Sequence, residues 1–211
     1  SAGGSLRWFR DALCQNEKAV AAETGADPYE YITASAAAVP LGAEGLLFLP
    51  YLTGERTPHK DPFAKGAFVG LSLRHTRAHM ARAVLEGVAY GMRDSLDIIR
   101  AMGVPIAQVR ASGGGARSAF WRQMQADVND APLVTINVDE GPAYGAALLA
   151  TVATGLYDSI EEACGSTIRV VDTCPPDAER ARAYDAWFAE YQAAYRVLAP
   201  GFRRCAALMG E

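Results

Sequence analysis

Three consecutive glycines, Gly113, Gly114 and Gly115, sit where an apolar stretch turns into a helical pattern, followed by Ala116, Arg117 and Ser118. Glycines without side chains let the backbone approach a flat or anionic ligand closely, and amides at the following helix N-terminus point outward to receive it. Such a turn suits a nucleotide. It is neither the G-x-G-x-x-G fingerprint nor the G-x-x-x-x-G-K-[ST] phosphate loop, and a tight strand-to-helix turn with no ligand has the same spacing. A second concentration of chemistry is the run from Gly54 to Asp61, where Glu55, Arg56, His59, Lys60 and Asp61 place five ionisable groups in eight residues. It reads either as the rim of a cleft that orients a polar substrate or as a solvated loop. Arg56 stands out because a guanidinium matches phosphate oxygens geometrically.

Other residue types offer less. His75 and His79 are four apart without the glutamate of H-E-x-x-H, so no metal site is expected, and His79 is read as lying near a helix cap. Four cysteines, Cys14, Cys164, Cys174 and Cys205, lie far apart with no C-x-x-C spacing, which favours reduced thiols in a cytoplasm over a zinc site or a disulfide scaffold. No G-x-S-x-G nucleophile motif occurs. The small-residue run from Glu140 to Ala147 reads as a helix packed closely on a sheet.

These residues need elements to position them. Leu6, Phe9, Leu13 and Val20 predict a helix from Ser5, as N-cap, to about Thr24, with Gly25 as its stop. A short helix follows from Pro28, then a buried strand over Leu46 to Leu49, a long loop from Tyr51 to Lys65, and a strand over Gly66 to Leu71. Thr76 caps a long amphipathic helix ending near Met102, closed by Gly103. Beyond it come a strand over Val109 to Ser112, the glycine turn, a helix from Ser118 to about Asn129, a strand over Leu133 to Val138 and a helix over Pro142 to Thr154. The segment from Asp158 to Thr173 has no clear period. A final helix from Asp177 to Leu198 carries Tyr184, Trp187, Phe188, Tyr191 and Tyr195. Strands alternating with helices indicate an α/β sheet with helical layers.

Composition narrows the partners. The chain has 211 residues, 50% of them hydrophobic and 21% charged, and a net charge of −4 from 20 basic and 24 acidic side chains. No basic tract suggests nucleic-acid binding, and no apolar run approaches the roughly 20 residues of a membrane span. The start has neither a basic nor an apolar leader segment and no Met, so the chain reads as a piece of something longer.

Gly66, Phe68, Gly70 and Leu71, followed after seven residues by His79, Met80, Ala83, Val84, Leu85 and Glu86, resemble the C-terminal signature of the FGGY carbohydrate kinases. The run from Leu49 to Pro58, the glycine turn with Trp121 to Met124, and Gly141 to Ala147 are similar to the xylulokinase branch. The likeness extends from Leu46 to about Ala150 and returns in the terminal helix. It implies a ribonuclease-H-like, actin-like ATPase domain, with a mixed sheet flanked by helices and lacking its first strands. It implies transfer of the ATP γ-phosphoryl to a ketopentose, D-xylulose, with Mg²⁺. Gly113, Gly114, Gly115, Ala116, Arg117 and Ser118 would then hold the adenosine, with Glu55 and Arg56 as cleft or phosphate contacts and no catalytic or metal-binding residue in this chain.

Residues 1–211 are accordingly expected to be the nucleotide-binding half of a two-domain enzyme, with a core over 1–199 and a tail over 200–211. The sugar-binding half and the catalytic aspartate would lie elsewhere, leaving this piece inactive alone. A truncated sheet leaves an edge and an apolar face uncovered, so self-association, for instance as a homodimer, is expected. The competing readings are another FGGY kinase acting on ribulose, gluconate or glycerol, and a non-catalytic nucleotide-binding module of the same fold. A redox or metal protein using the cysteines is the most remote.

Overall fold

The computed structural model of the chain describes residues 2–138 and 141–210. Its centre is the helix α4 (Arg77–Ala101), buried continuously from Ala81 to Tyr90, where small and apolar residues enclose the Arg82–Glu86 pair. Helices α1 (Ala2–Leu13) and α3 (Pro28–Ala37) pack against α4 from one side, with α2 (Gln15–Thr24) seated on α3. An antiparallel pair, β1 (Leu47–Leu49) and β2 (Ala67–Val69), lies along it, with Phe48 opposite Phe68.

The second sheet is mixed. Strand β3 (Val109–Ala111) runs parallel to β4 (Leu133–Ile136), and β5 (Val170–Cys174) closes the other side of β4 antiparallel to it. Helix α5 (Ala119–Asn129) crosses from β3 to β4 and packs on α4, and α6 (Gly141–Ala153) packs chiefly on α7 (Ile160–Thr167). The last helix, α8 (Ala178–Met209), lays Tyr184, Phe188, Tyr191 and Tyr195 into the common core.

Several expectations need correction. The first helix is two. The chain bends at Cys14 (φ −114°, ψ 49°), because the apolar face of α1 ends at Leu13 and α2 must turn to reach α3. Ser5 is consequently no cap but a buried residue inside α1. The last helix does not stop at Leu198. It passes through Pro200, at the cost of a missing amide, because Ala199, Phe202 and Ala206 continue its packed face.

The segment without a clear period contains α7 and β5. The small-residue helix α6 is not packed closely on a sheet: only Leu148 is buried, since its partner is α7 and no described strand covers the opposite side. Glu140, which opens that stretch, lies outside the described residues. The expected loop from Tyr51 to Lys65 is folded on itself, with Glu55 and Asp61 exchanging backbone hydrogen bonds at 2.9 and 2.8 Å.

Candidate functional site

The glycine turn is built locally. Gly113 takes φ +72°, a conformation that disfavours side chains, and Gly114–Ala116 form one turn of 3-10 helix before Ser118 caps α5, its Oγ accepting from the Trp121 amide at 3.3 Å. Arg122 ties down the far side of the turn, donating to the Ala116 carbonyl at 2.6 Å and to Asp172 on β5 at 2.9 Å.

Gly114, Gly115, Arg117 and Ser118 line a cleft of about 440 Å³, a size typical for a small-molecule site. Gly113 and Ala116 shape the turn without lining the cleft. Trp121 contributes another wall, its indole donating to the Leu85 carbonyl at 3.3 Å. Further walls come from elements that precede the turn by eighty residues or more, among them Leu6 and Arg7 on α1, and Tyr29, Glu30 and Thr33 on α3. No local sequence signal marks these five, because their convergence is tertiary.

Glu55 and Arg56 are not part of this cleft. Glu55 borders a second one of about 350 Å³ with Pro50, Val88, Met92, Leu96 and Val109, and its Oε1 accepts from the amides of Arg56 at 2.7 Å and Thr57 at 3.1 Å. Arg56 is exposed and lines neither cleft.

The loop that carries both is fastened to α8. His59 stacks on Tyr195 with centroids 3.7 Å apart, and its Nε2 is 3.2 Å from the Tyr51 hydroxyl, itself 2.7 Å from that of Tyr191. Asp61 accepts from the Tyr195 hydroxyl at 2.8 Å and from Arg203 at 3.3 Å. Burial pushes the Asp61 carboxyl up, but Tyr195, the Phe63 amide and Arg203 outweigh it and leave its pKa lowered, while burial and Asp61 push the Tyr195 phenol up to about 12.

Several of the ten signature residues serve the scaffold. Gly70 has φ +93°, and a Cβ on it would fall 2.5 Å from the Gly45 carbonyl oxygen. His79 completes a capping box at the start of α4, its Nδ1 accepting from the Thr76 amide at 3.2 Å. Glu86 forms a buried ion pair with Arg82 at 2.6 Å and accepts from the Gly42 amide at 3.0 Å. None of the ten lines the glycine-turn cleft.

Among the described residues there is no group of three His, Cys, Asp or Glu side chains placed to hold a metal ion, and no helix is long and apolar enough to cross a membrane.

Strand β3, parallel to β4 in the mixed sheet, ends in the glycine turn and leads into α5, the place where open α/β sheets hold their ligand crevices. Residues 1–154 match the C-terminal domain of the FGGY family of carbohydrate kinases, and the chain belongs to that family. The match begins at residue 1, so the likeness reaches well ahead of Leu46, where the recognisable motifs start. The chain is 39% identical over 196 residues to a xylulose kinase of Staphylococcus epidermidis, covering 93% of this chain and 38% of that protein. It is 42% identical over 183 residues to a gluconokinase of Bacillus licheniformis, covering 85% and 35%. The solved structure of a ligand-bound xylulose kinase from Lactobacillus acidophilus superposes with a TM-score of 0.82 at 30% identity, over 96% of this chain and 39% of that one. The domain is thus of the actin-like ATPase class, and the chain spans under two fifths of the length of these relatives.

Proposed function

We propose that this chain is the nucleotide-binding half of a cytoplasmic sugar kinase that transfers the γ-phosphoryl of ATP to D-xylulose. The observation that carries the reading is the cleft in which Gly114 and Gly115 face α1 and α3, with space for an adenosine beside a backbone stripped of side chains. Both glycines fit a flat ligand: a Cβ on Gly114 would meet nothing within 4 Å, and one on Gly115 would meet only the Trp121 ring.

In this reading the turn binds and orients the adenosine, Ser118 and Arg122 fix the turn, and Arg117 stands at its exposed edge. The sugar, the general base and the in-line geometry belong to the other half of the enzyme. Mg²⁺ would neutralise charge on the phosphates. It is usually held by those phosphates and one or two carboxylates, and nothing in this chain's described residues forms a cage for it. Glu55 and Arg56 would act at the domain boundary.

A gluconate kinase is the second reading, favoured by the similarity to the Bacillus licheniformis gluconokinase.

The test is calorimetric titration of ADP into this chain and into Gly114→Trp, where an indole would fill the cleft without straining the turn. Binding by the first and not the second is expected. Absence of binding by the first overturns the nucleotide assignment, and D-xylulose-dependent ADP release by the chain alone overturns its reading as a half-enzyme. A melting-temperature panel of D-xylulose, D-ribulose, gluconate and glycerol on an enzyme carrying this half joined to a sugar-binding half separates the substrates.

A further inference from the structure

The polar side chains in the wall of the glycine-turn cleft are mostly turned to their own backbone. The Asp27 carboxylate accepts from the Tyr29 amide at 3.0 Å, the buried Thr33 hydroxyl donates to the Tyr29 carbonyl at 2.8 Å, and Ser118 caps α5. The other charged side chains lining the cleft among the described residues, Arg7, Glu30 and Arg117, are exposed on long flexible stems. A hydrogen bond they offered a base would compete with water.

The same cleft has an aromatic wall whose position is fixed. Tyr29 sits in the first turn of α3, and the Arg10 guanidinium lies over one face of its ring, 4.9 Å from the centroid. Asp11 holds Arg10 there through two hydrogen bonds of 2.8 and 3.0 Å.

We propose, on the basis of the nucleotide reading above, that this cleft takes purine nucleotides by stacking the base on the face of Tyr29 not covered by Arg10, and accepts adenine and guanine alike. A site built to hydrogen-bond a base edge rejects an analogue strongly because its own buried polar groups are left unpaired, and here those groups are already satisfied. Stacking tolerates either purine because each has a π-face, and the larger bicyclic face of a purine covers more of the Tyr29 ring than a pyrimidine does.

Titration of ADP, GDP and UDP into the chain, Tyr29→Phe and Tyr29→Leu tests this, with tryptophan fluorescence as a second readout and thermal melting to verify folding. ADP and GDP are expected to bind within about fivefold of each other and UDP at least about tenfold more weakly. Tyr29→Leu should weaken ADP and GDP together by about tenfold, and Tyr29→Phe should leave both unchanged. A preference for ADP over GDP above about thirtyfold would mean that the base edge is read and would overturn the proposal. So would a Tyr29→Leu variant that binds like the parent while Gly114→Trp does not, which would leave the nucleotide reading standing. No binding of any of the three nucleotides to the parent chain overturns both.

Discussion

Gly115 lies against the indole of Trp121, so close that a Cβ on the glycine would fall 3.0 Å from Cζ3 of the ring. The turn and the cleft wall are therefore packed more tightly than a side chain at position 115 would leave them. Gly115→Ala should displace the ring by a few tenths of an ångström and lower ADP affinity about fivefold, roughly 1 kcal/mol, with a shift in tryptophan emission and little change in melting. Equal affinity in the two proteins would show that this contact does not shape the site.

The Arg82–Glu86 pair is almost wholly removed from solvent, with 7% and 2% of the two side chains exposed. Arg82 also donates to the Val39 carbonyl at 3.0 Å and to the Tyr184 hydroxyl at 2.8 Å, so its charge cannot leave when its partner is deleted. Glu86→Ala should cost about 3–5 kcal/mol in urea unfolding, and Arg82→Met with Glu86→Leu much less, since an apolar pair leaves no buried charge. A single variant within about 1 kcal/mol of the parent would contradict this account of the pair.

Burial lowers the pKa of His59, more than Glu55 and Asp61 raise it. As pH falls below the ordinary histidine value of about 6.5, the unfolded chain takes up this proton before the folded one, so folding stability declines from there toward the lower folded pKa. Glu86 and Asp94, whose pKa values burial raises, slope the other way as pH rises through their own range. Comparison with His59→Phe, which can keep the stack on Tyr195, isolates the imidazole. The parent should lose more melting temperature than the variant between about pH 7.5 and 5.5. Parallel pH profiles would remove His59 from the explanation.

Strand β3 pairs only with β4 among the described strands, and in the turn that leads into it Met102 and Val104 are 74% and 50% exposed. An open strand edge and exposed apolar side chains each invite pairing with another chain. Light scattering should give a mass that rises with concentration above the 22.5 kDa of one chain, and Met102→Glu with Val104→Lys should suppress the rise. A concentration-independent monomer would mean that this edge is not adhesive.

The sequence made legible what depends on neighbours along the chain. Thr76 and Ser118 were readable as caps because capping is decided within one turn, and Leu46 to Leu49 as a strand because a short apolar run before Pro50 leaves few alternatives. The glycine turn was readable for the same reason. What stayed hidden depends on distant partners. Tyr29 reaches the cleft only because α3 packs on α4, and the bend at Cys14 follows from two helices having different neighbours. The last helix runs past Leu198 and through Pro200 because Ala199 and Ala206 are buried on distant partners. Glu55 and the glycine turn look like two parts of one site in the sequence, and the fold assigns them to separate clefts.

The contact between Gly70 and the Gly45 carbonyl has a consequence for how such chains are classified. A motif whose glycine is there to let two backbones pass, whose histidine closes a helix end and whose glutamate neutralises a buried arginine records a way of folding. It carries no information about the sugar. Under the proposed function, swapping the sugar-binding partner of such a half should change the substrate while leaving every signature residue in place.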